Sequence, residues 1–155
     1  VPLATLARDR DLAVRFIELM PIGLGRGLPG RSEAQVLARL EAVFGPLRPL
    51  EAPPGGPARY GTFPGFQGRV GFISAMTHPF CAACDRVRLT ASGFLKTCLQ
   101  YQTGVDLRAL LEAGAGDSAL RAAILEAVRQ KPACHHFGGA PAPGDEGHTM
   151  NQIGG

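Results

Sequence analysis

The sequence predicts a mixed α/β (α+β) fold in which a strand is followed by a helix, a small antiparallel sheet and further helices. Residues 12–20 are almost continuously apolar, which is typical of a strand buried on both faces, as in an α/β barrel. Short β-prone stretches separated by Gly and Pro come later, and such stretches favour a small antiparallel sheet. The chain has 155 residues, 45% of them hydrophobic, which is enough to bury one ordinary core.

The first strand carries two charged side chains. It follows residues 2–9, which have the character of a helix end, and it contains Arg15 and Glu18. A charge inside a buried strand is costly unless it is paired. We therefore expect Arg15 and Glu18 to line a polar cavity or to neutralise each other; the alternative is that one or both face solvent.

A helix is predicted over residues 33–44. Ser32 and Gln35 form a capping box at its start, and Gly45 followed by Pro46 ends it. Its apolar face consists of Val36, Leu37, Leu40, Val43 and Phe44.

The glycines of residues 25–30 have the spacing of a dinucleotide-binding fingerprint. In that motif the third glycine lies in the start of a helix, whereas here Gly30 follows Pro29 and the helix begins only after Ser32. We interpret this stretch as a loop.

Short strands are predicted near residues 47–51, 58–63 and 69–73. Helices are predicted over 105–113 and 117–130. In the second of these helices Asp117 is the expected N-cap, and the apolar stripe expected in the core is Leu120, Ile124, Ala127 and Val128. The remainder is rich in Gly, Pro and His without periodicity, which predicts a loose tail.

Three cysteines lie close together in the sequence. Cys81 and Cys84 are separated by two residues, and Cys98 follows after thirteen more. This spacing is a metal-ligand pattern, whereas a lone cysteine usually fills a core. With a fourth ligand the thiolates would form a closed zinc site, and without one they suit an iron–sulfur cluster with an open iron. The candidate fourth ligands are His78, Cys134, His135, His136 and His148.

The segment from Arg86 to Cys98 predicts a β-hairpin with its turn at Gly93. A two-residue loop would pair Cys98 with Val87 and place the thiol on the apolar face. A three-residue loop with Gly93 left-handed pairs Cys98 with Arg86 and returns the thiol to the polar face, which Arg88 shares. Grouping the thiolates therefore predicts the longer loop.

Two arginines accompany the cysteines. Guanidinium groups bind anions such as phosphate in a bidentate manner, so Arg86 and Arg88 suit an anionic ligand; ordinary surface charge is the alternative. The net charge of +3 is mild and does not indicate nucleic acid. No apolar run reaches the ~20 residues needed to span a membrane, and reduced, metal-ligating thiols are typical of the cytoplasm.

Three separated signatures together resemble the C-terminal portion of the molybdenum cofactor biosynthesis protein A family, the radical SAM GTP 3′,8-cyclases. The first is Arg15-Phe16-Ile17-Glu18 and the last is Ile153-Gly154-Gly155. The central signature consists of Phe80, Cys81, Cys84, Arg86, Arg88, Thr90, Gly93, Leu95, Cys98 and Leu99.

This resemblance implies a C-terminal [4Fe-4S] cluster held by Cys81, Cys84 and Cys98, with an open iron that the guanine of GTP approaches. It implies that Arg86 and Arg88 bind GTP. It also implies that Met20 contacts S-adenosylmethionine and that the tail reaches the active site through Gly154 and Gly155. Because the family uses three ligands, Cys134 is not expected to be one.

Under this resemblance, residues 1–30 are the remnant of the radical SAM barrel, namely the last strand and a loop of an incomplete TIM-like barrel. Residues 31–155 are then the C-terminal iron–sulfur and GTP-binding domain, with the tail at 133–155. Family members carry a further cysteine triad in the barrel for the cluster that cleaves S-adenosylmethionine, and this sequence has none. The intact enzyme is a lyase, whereas we expect this chain alone to bind GTP weakly and to turn over nothing.

The alternative from another functional class is a non-catalytic zinc-binding module with a basic face. Its support is the pair Cys81 and Cys84, the neighbouring arginines and the lack of an obvious acid–base pair. Iron uptake by the anaerobically reconstituted protein would separate the two hypotheses. The sequence leaves open whether the chain forms a homodimer.

Overall fold

The computed structural model describes residues 1–51, 56–140, 142–150 and 152–153. The chain divides into two compact units, Val1–Met20 with Pro29–Cys84, and Pro21–Leu28 with Asp85–Gly155. Within the described residues the first unit carries a mixed sheet and the second an antiparallel sheet, each with helices. The mixed α/β prediction is confirmed. The assignment of residues 1–30 to a barrel stays a prediction.

The sheet of the first unit has the strand order β1-β4-β3-β2. Its strands are β1 (Ala13–Ile17), β2 (Arg48–Leu50), β3 (Arg59–Thr62) and β4 (Arg69–Ile73). The three short strands predicted after the helix are present, and β3 pairs antiparallel with both β2 and β4. The sheet is nevertheless mixed, because β4 also pairs in parallel with β1.

Strand β1 lies at the edge of this sheet and is not buried on both faces, contrary to the prediction. Val14 and Phe16 are half-buried, whereas Arg15 and Ile17 are exposed. Of the two expected arrangements, mutual neutralisation of Arg15 and Glu18 is therefore not found, and Arg15 faces solvent as in the alternative. Glu18 is buried, and the partners of its carboxylate are backbone N–H groups and a hydroxyl group of the same unit.

The core of the first unit lies between the sheet and two helices, α1 (Pro2–Thr5) and α2 (Glu33–Phe44). Its buried cluster consists of Ala4, Leu40, Phe63, Val70 and Phe72. Each fully buried side chain of the size of Leu or Phe stabilises the fold by about 1.5–3 kcal/mol relative to exposure. The apolar stripe of α2 faces this cluster except at Val43, which is 56% exposed.

Helix α2 has the predicted bounds and the predicted capping box. The Oγ of Ser32 accepts a hydrogen bond from the Gln35 backbone N–H at 3.3 Å, and the Gln35 side chain accepts one from the Ser32 N–H at 3.1 Å. Gly45 ends the helix with φ +83°. Gly25 ends a 3₁₀ turn, Gly23–Gly25, and residues 26–30 lie in a loop before α2, as predicted.

The sheet of the second unit has the order β5-β6-β7 and is antiparallel. Its elements, with the helices that follow, are β5 (Arg88–Leu89), β6 (Phe94–Lys96), β7 (Gly104–Asp106), α3 (Leu107–Glu112) and α4 (Asp117–Arg129). The prediction missed β7, because it extended the helix over residues 105–113. The Asp106 side chain accepts a hydrogen bond from the Ala109 N–H at 2.9 Å, so the same residue ends the strand and caps α3.

Helix α4 is present, but two details of its prediction are wrong. Gly116 is the N-cap, and Asp117 is the first helical residue. The stripe expected in the core is buried at Ala127, whereas Ile124 and Val128 are 36% and 44% exposed. None of the helices in the described part of the chain combines the length and the apolar character needed to cross a membrane.

Candidate functional site

The hairpin formed by β5 and β6 has the predicted three-residue loop. Leu89 lies opposite Leu95, and the Thr90 N–H donates to the Phe94 carbonyl at 2.9 Å, which leaves residues 91–93 in the loop. Gly93 has φ +86°, as expected for a left-handed loop residue. The longer loop is therefore confirmed.

The register of this hairpin relates the arginines to the third cysteine. The ladder pairs Arg88 with Lys96. This is the register that the three-residue loop was predicted to produce. The ladder covers only Arg88–Leu89 and Phe94–Lys96, so the pairing of Arg86 with Cys98 and their common face stay a prediction.

The first two cysteines lie at the ends of one tight turn. Cys81 begins a 3₁₀ turn, Cys81–Ala83, and the Cys84 N–H donates to the Cys81 carbonyl at 3.1 Å. Both thiols are half-buried in the first unit, and the half-buried Cys98 belongs to the second unit. Cys134 is exposed.

The donor chemistry of Cys81, Cys84 and Cys98 suits an iron–sulfur cluster, because all three are thiols that are partly accessible. Among the described residues, however, no group of three or more His, Cys, Asp or Glu side chains is arranged to hold a metal ion. The thiols therefore fit the cluster by type, and their assignment as ligands stays a prediction.

The remaining predicted site residues lie as follows. Arg86 is exposed, and its carbonyl accepts a hydrogen bond from the Lys131 ammonium at 2.8 Å. Arg88 is half-buried in β5, and Met20 is half-buried after the end of β1. The predicted tail contacts of Gly154 and Gly155 lie outside the described residues.

A buried ion pair that the sequence did not predict stands beside the hairpin. The ammonium of Lys96 donates to the carboxylate of Glu146 and, at 2.6 Å, to the Tyr101 carbonyl. The side chains of Lys96 and Glu146 are only 4% and 2% exposed. Burial by itself raises the pKa of Glu146, but hydrogen bonds from Lys96 and His148 outweigh it and hold the pKa below its ordinary value.

A second polar junction involves Tyr101, His136 and Asp145. The Tyr101 hydroxyl and His136 Nδ1 are 2.8 Å apart, and His136 Nε2 lies 3.1 Å from the Asp145 carboxylate. The pKa of Asp145 is below its ordinary value. The largest cause is the hydrogen bond from the Ala142 N–H, and a hydrogen bond with His136 lowers the pKa further, whereas desolvation raises it. With both ring nitrogens engaged, the imidazole of His136 fastens the C-terminal segment to the loop after β6.

The described C-terminal segment is consequently not loose, contrary to the prediction. Tyr101 and Asp145 form a β-bridge, and Glu146 and Ile153 are each 2% exposed. With Arg26 and Phe137, this segment also lines a pocket of about 190 Å³ within the second unit. Neither periodicity nor a motif signals these contacts, because the partners Lys96 and Glu146 are 50 residues apart.

Residues 12–137 match the family model described as Molybdenum Cofactor Synthesis C. The chain is similar to the GTP 3′,8-cyclase of Pelotomaculum thermopropionicum, with 45% identity over 88% of this chain and 43% of that protein. It is 40% identical to the GTP 3′,8-cyclase of Moorella thermoacetica over 98% of this chain and 47% of that protein. It is 38% identical to the GTP 3′,8-cyclase of Clostridium perfringens over 87% of this chain and 42% of that protein.

The matched region includes β1, both sheets and all three cysteines of the hairpin region. The chain spans less than half the length of these curated relatives, at 42–47%. On the extent of the family match and these identities, the chain belongs to the Molybdenum Cofactor Synthesis C family and corresponds to the C-terminal portion of GTP 3′,8-cyclases.

Proposed function

We propose that this chain supplies the cluster-binding and GTP-binding part of a GTP 3′,8-cyclase, which acts in molybdenum cofactor biosynthesis. The observation that carries the proposal is the hairpin register, in which a three-residue loop with Gly93 left-handed pairs Arg88 with Lys96. Continued beyond the ladder, this register would give Cys98 the same face as the two arginines. The similar proteins are named GTP 3′,8-cyclase, which supports the proposed reaction. Those proteins are more than twice as long as this chain.

In this proposal Cys81, Cys84 and Cys98 are the ligands of a [4Fe-4S] cluster. When bound, such a cluster with one iron lacking a protein ligand offers a Lewis-acidic position to a nitrogen or oxygen atom of the guanine base. The 3₁₀ turn at Cys81–Ala83 joins the first two of these residues, and the Cys84 N–H donates to the Cys81 carbonyl. Cys134, which is exposed, is not a ligand.

Arg86 and Arg88 bind the triphosphate of GTP, because guanidinium groups match phosphate oxygens in geometry and charge. Lys96 lies opposite Arg88, and two adjacent cations would repel each other across the ladder. The carboxylate of Glu146 neutralises Lys96 from within the unit, which reduces this repulsion. Met20 contacts S-adenosylmethionine in this proposal.

The reaction itself belongs to the intact enzyme in this proposal. The N-terminal part would hold a second [4Fe-4S] cluster and S-adenosylmethionine, which would supply the radical chemistry, and the residues of the present chain would bind and orient the substrate. Holding the substrate in one orientation is a large part of catalysis in such a division of labour. We expect this chain alone to bind GTP weakly without converting it.

A GTP titration of the anaerobically reconstituted chain tests this proposal. We expect Arg86→Ala to weaken GTP binding about 10- to 100-fold, the range that corresponds to losing a charge-assisted hydrogen bond. The matched control is Arg129→Ala, which removes an exposed arginine of α4 from the same unit and should leave binding unchanged. Equal binding by both variants, or stoichiometric zinc without iron uptake by the wild-type chain, would contradict the proposal.

A further inference from the structure

The carboxylate of Glu18, at the end of β1, is one of the most heavily hydrogen-bonded groups of the first unit. The residue is 6% exposed. One carboxylate oxygen accepts from the Glu33 N–H at 2.8 Å and from the Thr77 hydroxyl at 2.6 Å. The other accepts from the N–H groups of Met76 and Thr77, both at 2.9 Å.

These donors come from two separate segments. Glu33 is the first residue of α2, where unpaired N–H groups and the helix dipole favour a negative charge. Met76 and Thr77 belong to the turn after β4. Burial raises the pKa of Glu18, but hydrogen bonds led by that of Thr77 lower it further, so the side chain is a carboxylate at neutral pH.

The same turn is held from its other side by Glu33. The buried Ser74 donates its hydroxyl proton to the Glu33 carboxylate, which also pairs with Arg59 at 2.6 Å. The His78 N–H then donates to the Ser74 carbonyl at 2.8 Å. The turn over residues 74–78 is therefore fixed through two carboxylates.

The fixed turn leads directly to the cysteine pair. Only Pro79 and Phe80 separate His78 from Cys81, and the proline ring restricts the backbone at its own position. The Ala83 N–H donates to the Phe80 carbonyl at 3.1 Å, so the 3₁₀ turn starts at once. Little backbone freedom remains between the carboxylate of Glu18 and the two thiols.

We propose that Glu18 is a positioning residue for Cys81 and Cys84, acting through the turn over residues 74–78. The inference rests on the proposed function in that these two thiols are taken as cluster ligands. In this proposal Glu18 contacts neither substrate nor cluster. Its carboxylate holds the backbone of the turn in position, and this turn positions Cys81 and Cys84.

The test measures the thiols in the reduced, metal-free chain, so it does not depend on the cluster. Alkylation by iodoacetamide is followed at each cysteine by peptide mass spectrometry, with the exposed Cys134 as the internal reference. Hydrogen exchange at Met76 and Thr77 is followed in parallel. We expect Glu18→Gln to accelerate alkylation of Cys81 and Cys84 and exchange at both amides about 5- to 30-fold, with Cys134 unchanged.

The matched control is Glu41→Gln. Glu41 is also a carboxylate of the first unit that accepts a backbone hydrogen bond, from the Leu47 N–H at 3.0 Å, but at the far end of α2. An effect common to any carboxylate of the first unit that accepts a backbone hydrogen bond would appear in both variants, whereas positioning predicts the acceleration only for Glu18→Gln. Unchanged rates in Glu18→Gln, or equal acceleration in Glu41→Gln, would overturn the inference.

Two further measurements keep the outcome decisive. If Glu18→Gln does not fold, Thr77→Val removes the hydroxyl donor alone and should give a smaller acceleration at the same two cysteines; its absence counts against the inference. After anaerobic reconstitution, the electron paramagnetic resonance spectrum of the reduced cluster should change in Glu18→Gln and not in Glu41→Gln. A wild-type chain that takes up no iron would refute the proposed function, while the thiol kinetics still decide the role of Glu18.

Discussion

The ammonium of Lys96 binds the carboxylate of Glu146 at a point where both side chains are almost completely buried. Lys96 belongs to β6 of the hairpin, and Glu146 belongs to the C-terminal segment. This ion pair therefore links the hairpin to the C-terminal segment within the second unit. Removing one member leaves the other charge buried without its counter-ion, which is far more costly than losing an exposed pair.

We therefore expect Lys96→Met to lower the free energy of unfolding by about 3–5 kcal/mol. The control is Arg108→Met in the exposed pair of Arg108 with Glu112, which should cost at most about 1 kcal/mol. Urea unfolding followed by circular dichroism measures both. If the two variants lose similar amounts of unfolding free energy, the buried pair contributes no more to stability than the exposed pair, which would contradict the prediction.

Gly93 combines a left-handed backbone with a close neighbour. Its φ is +86°, and a Cβ at this position would lie 2.6 Å from the Cβ of Arg108. We expect Gly93→Ala to destabilise the second unit by more than the ~1–2 kcal/mol typical of a left-handed non-glycine residue. Gly114 has φ +80° with open space around it, so Gly114→Ala measures the backbone contribution alone in the same unfolding experiment. Equal losses would mean that contact with Arg108 is relieved at no cost.

The Tyr101 hydroxyl is expected to hold the segment that begins at Cys134. It lies 2.8 Å from His136 Nδ1 and donates to the Cys134 carbonyl at 3.2 Å. Tyr101→Phe keeps the ring and removes both contacts, so amide exchange over residues 134–140 should accelerate several-fold, by about the factor that one net hydrogen bond represents. Tyr60→Phe, at the other tyrosine of the chain, should leave this exchange unchanged. The contact is unimportant if the two variants exchange alike.

Acidification should destabilise the chain through three carboxylates that accept hydrogen bonds in the fold. Hydrogen bonds hold the pKa values of Glu18, Asp145 and Glu146 below their ordinary values despite burial. A group whose pKa is depressed on folding stabilises the fold above its unfolded pKa, and that stabilisation is lost as the pH falls through the folded pKa. The free energy of unfolding should thus be steady near neutral pH and decline below about pH 4.5, where free carboxyl groups titrate. The decline should be shallower in Glu18→Gln, and an unaltered pH profile in that variant would contradict the account.

Local signals in the sequence predicted the local parts of the structure. The capping box of Ser32 and Gln35 and the glycine after Phe44 determine the ends of α2 within a few residues, so its bounds were predicted correctly. Gly93 and the need to keep Cys98 on the polar face likewise predicted the hairpin loop and register. In both cases the interacting residues are close in sequence.

Tertiary context decided the features that the prediction missed. Periodicity identified the apolar stripe of α4, but it does not show whether another element covers that stripe, and Ile124 and Val128 are exposed. Composition favoured a loose tail, yet buried partners far apart in sequence hold it. The carboxylate of Glu18, expected to line a polar cavity or to neutralise Arg15, instead accepts hydrogen bonds from backbone N–H groups of a turn that no local pattern relates to β1.

Iron and sulfide analysis of the anaerobically reconstituted chain tests the central claim most directly. The account predicts about four iron and four sulfide per chain for the wild type and for Cys134→Ser, and a large loss of both for Cys81→Ser, Cys84→Ser and Cys98→Ser. Retention of iron in Cys98→Ser, its loss in Cys134→Ser, or stoichiometric zinc with no iron uptake in the wild type would contradict the account.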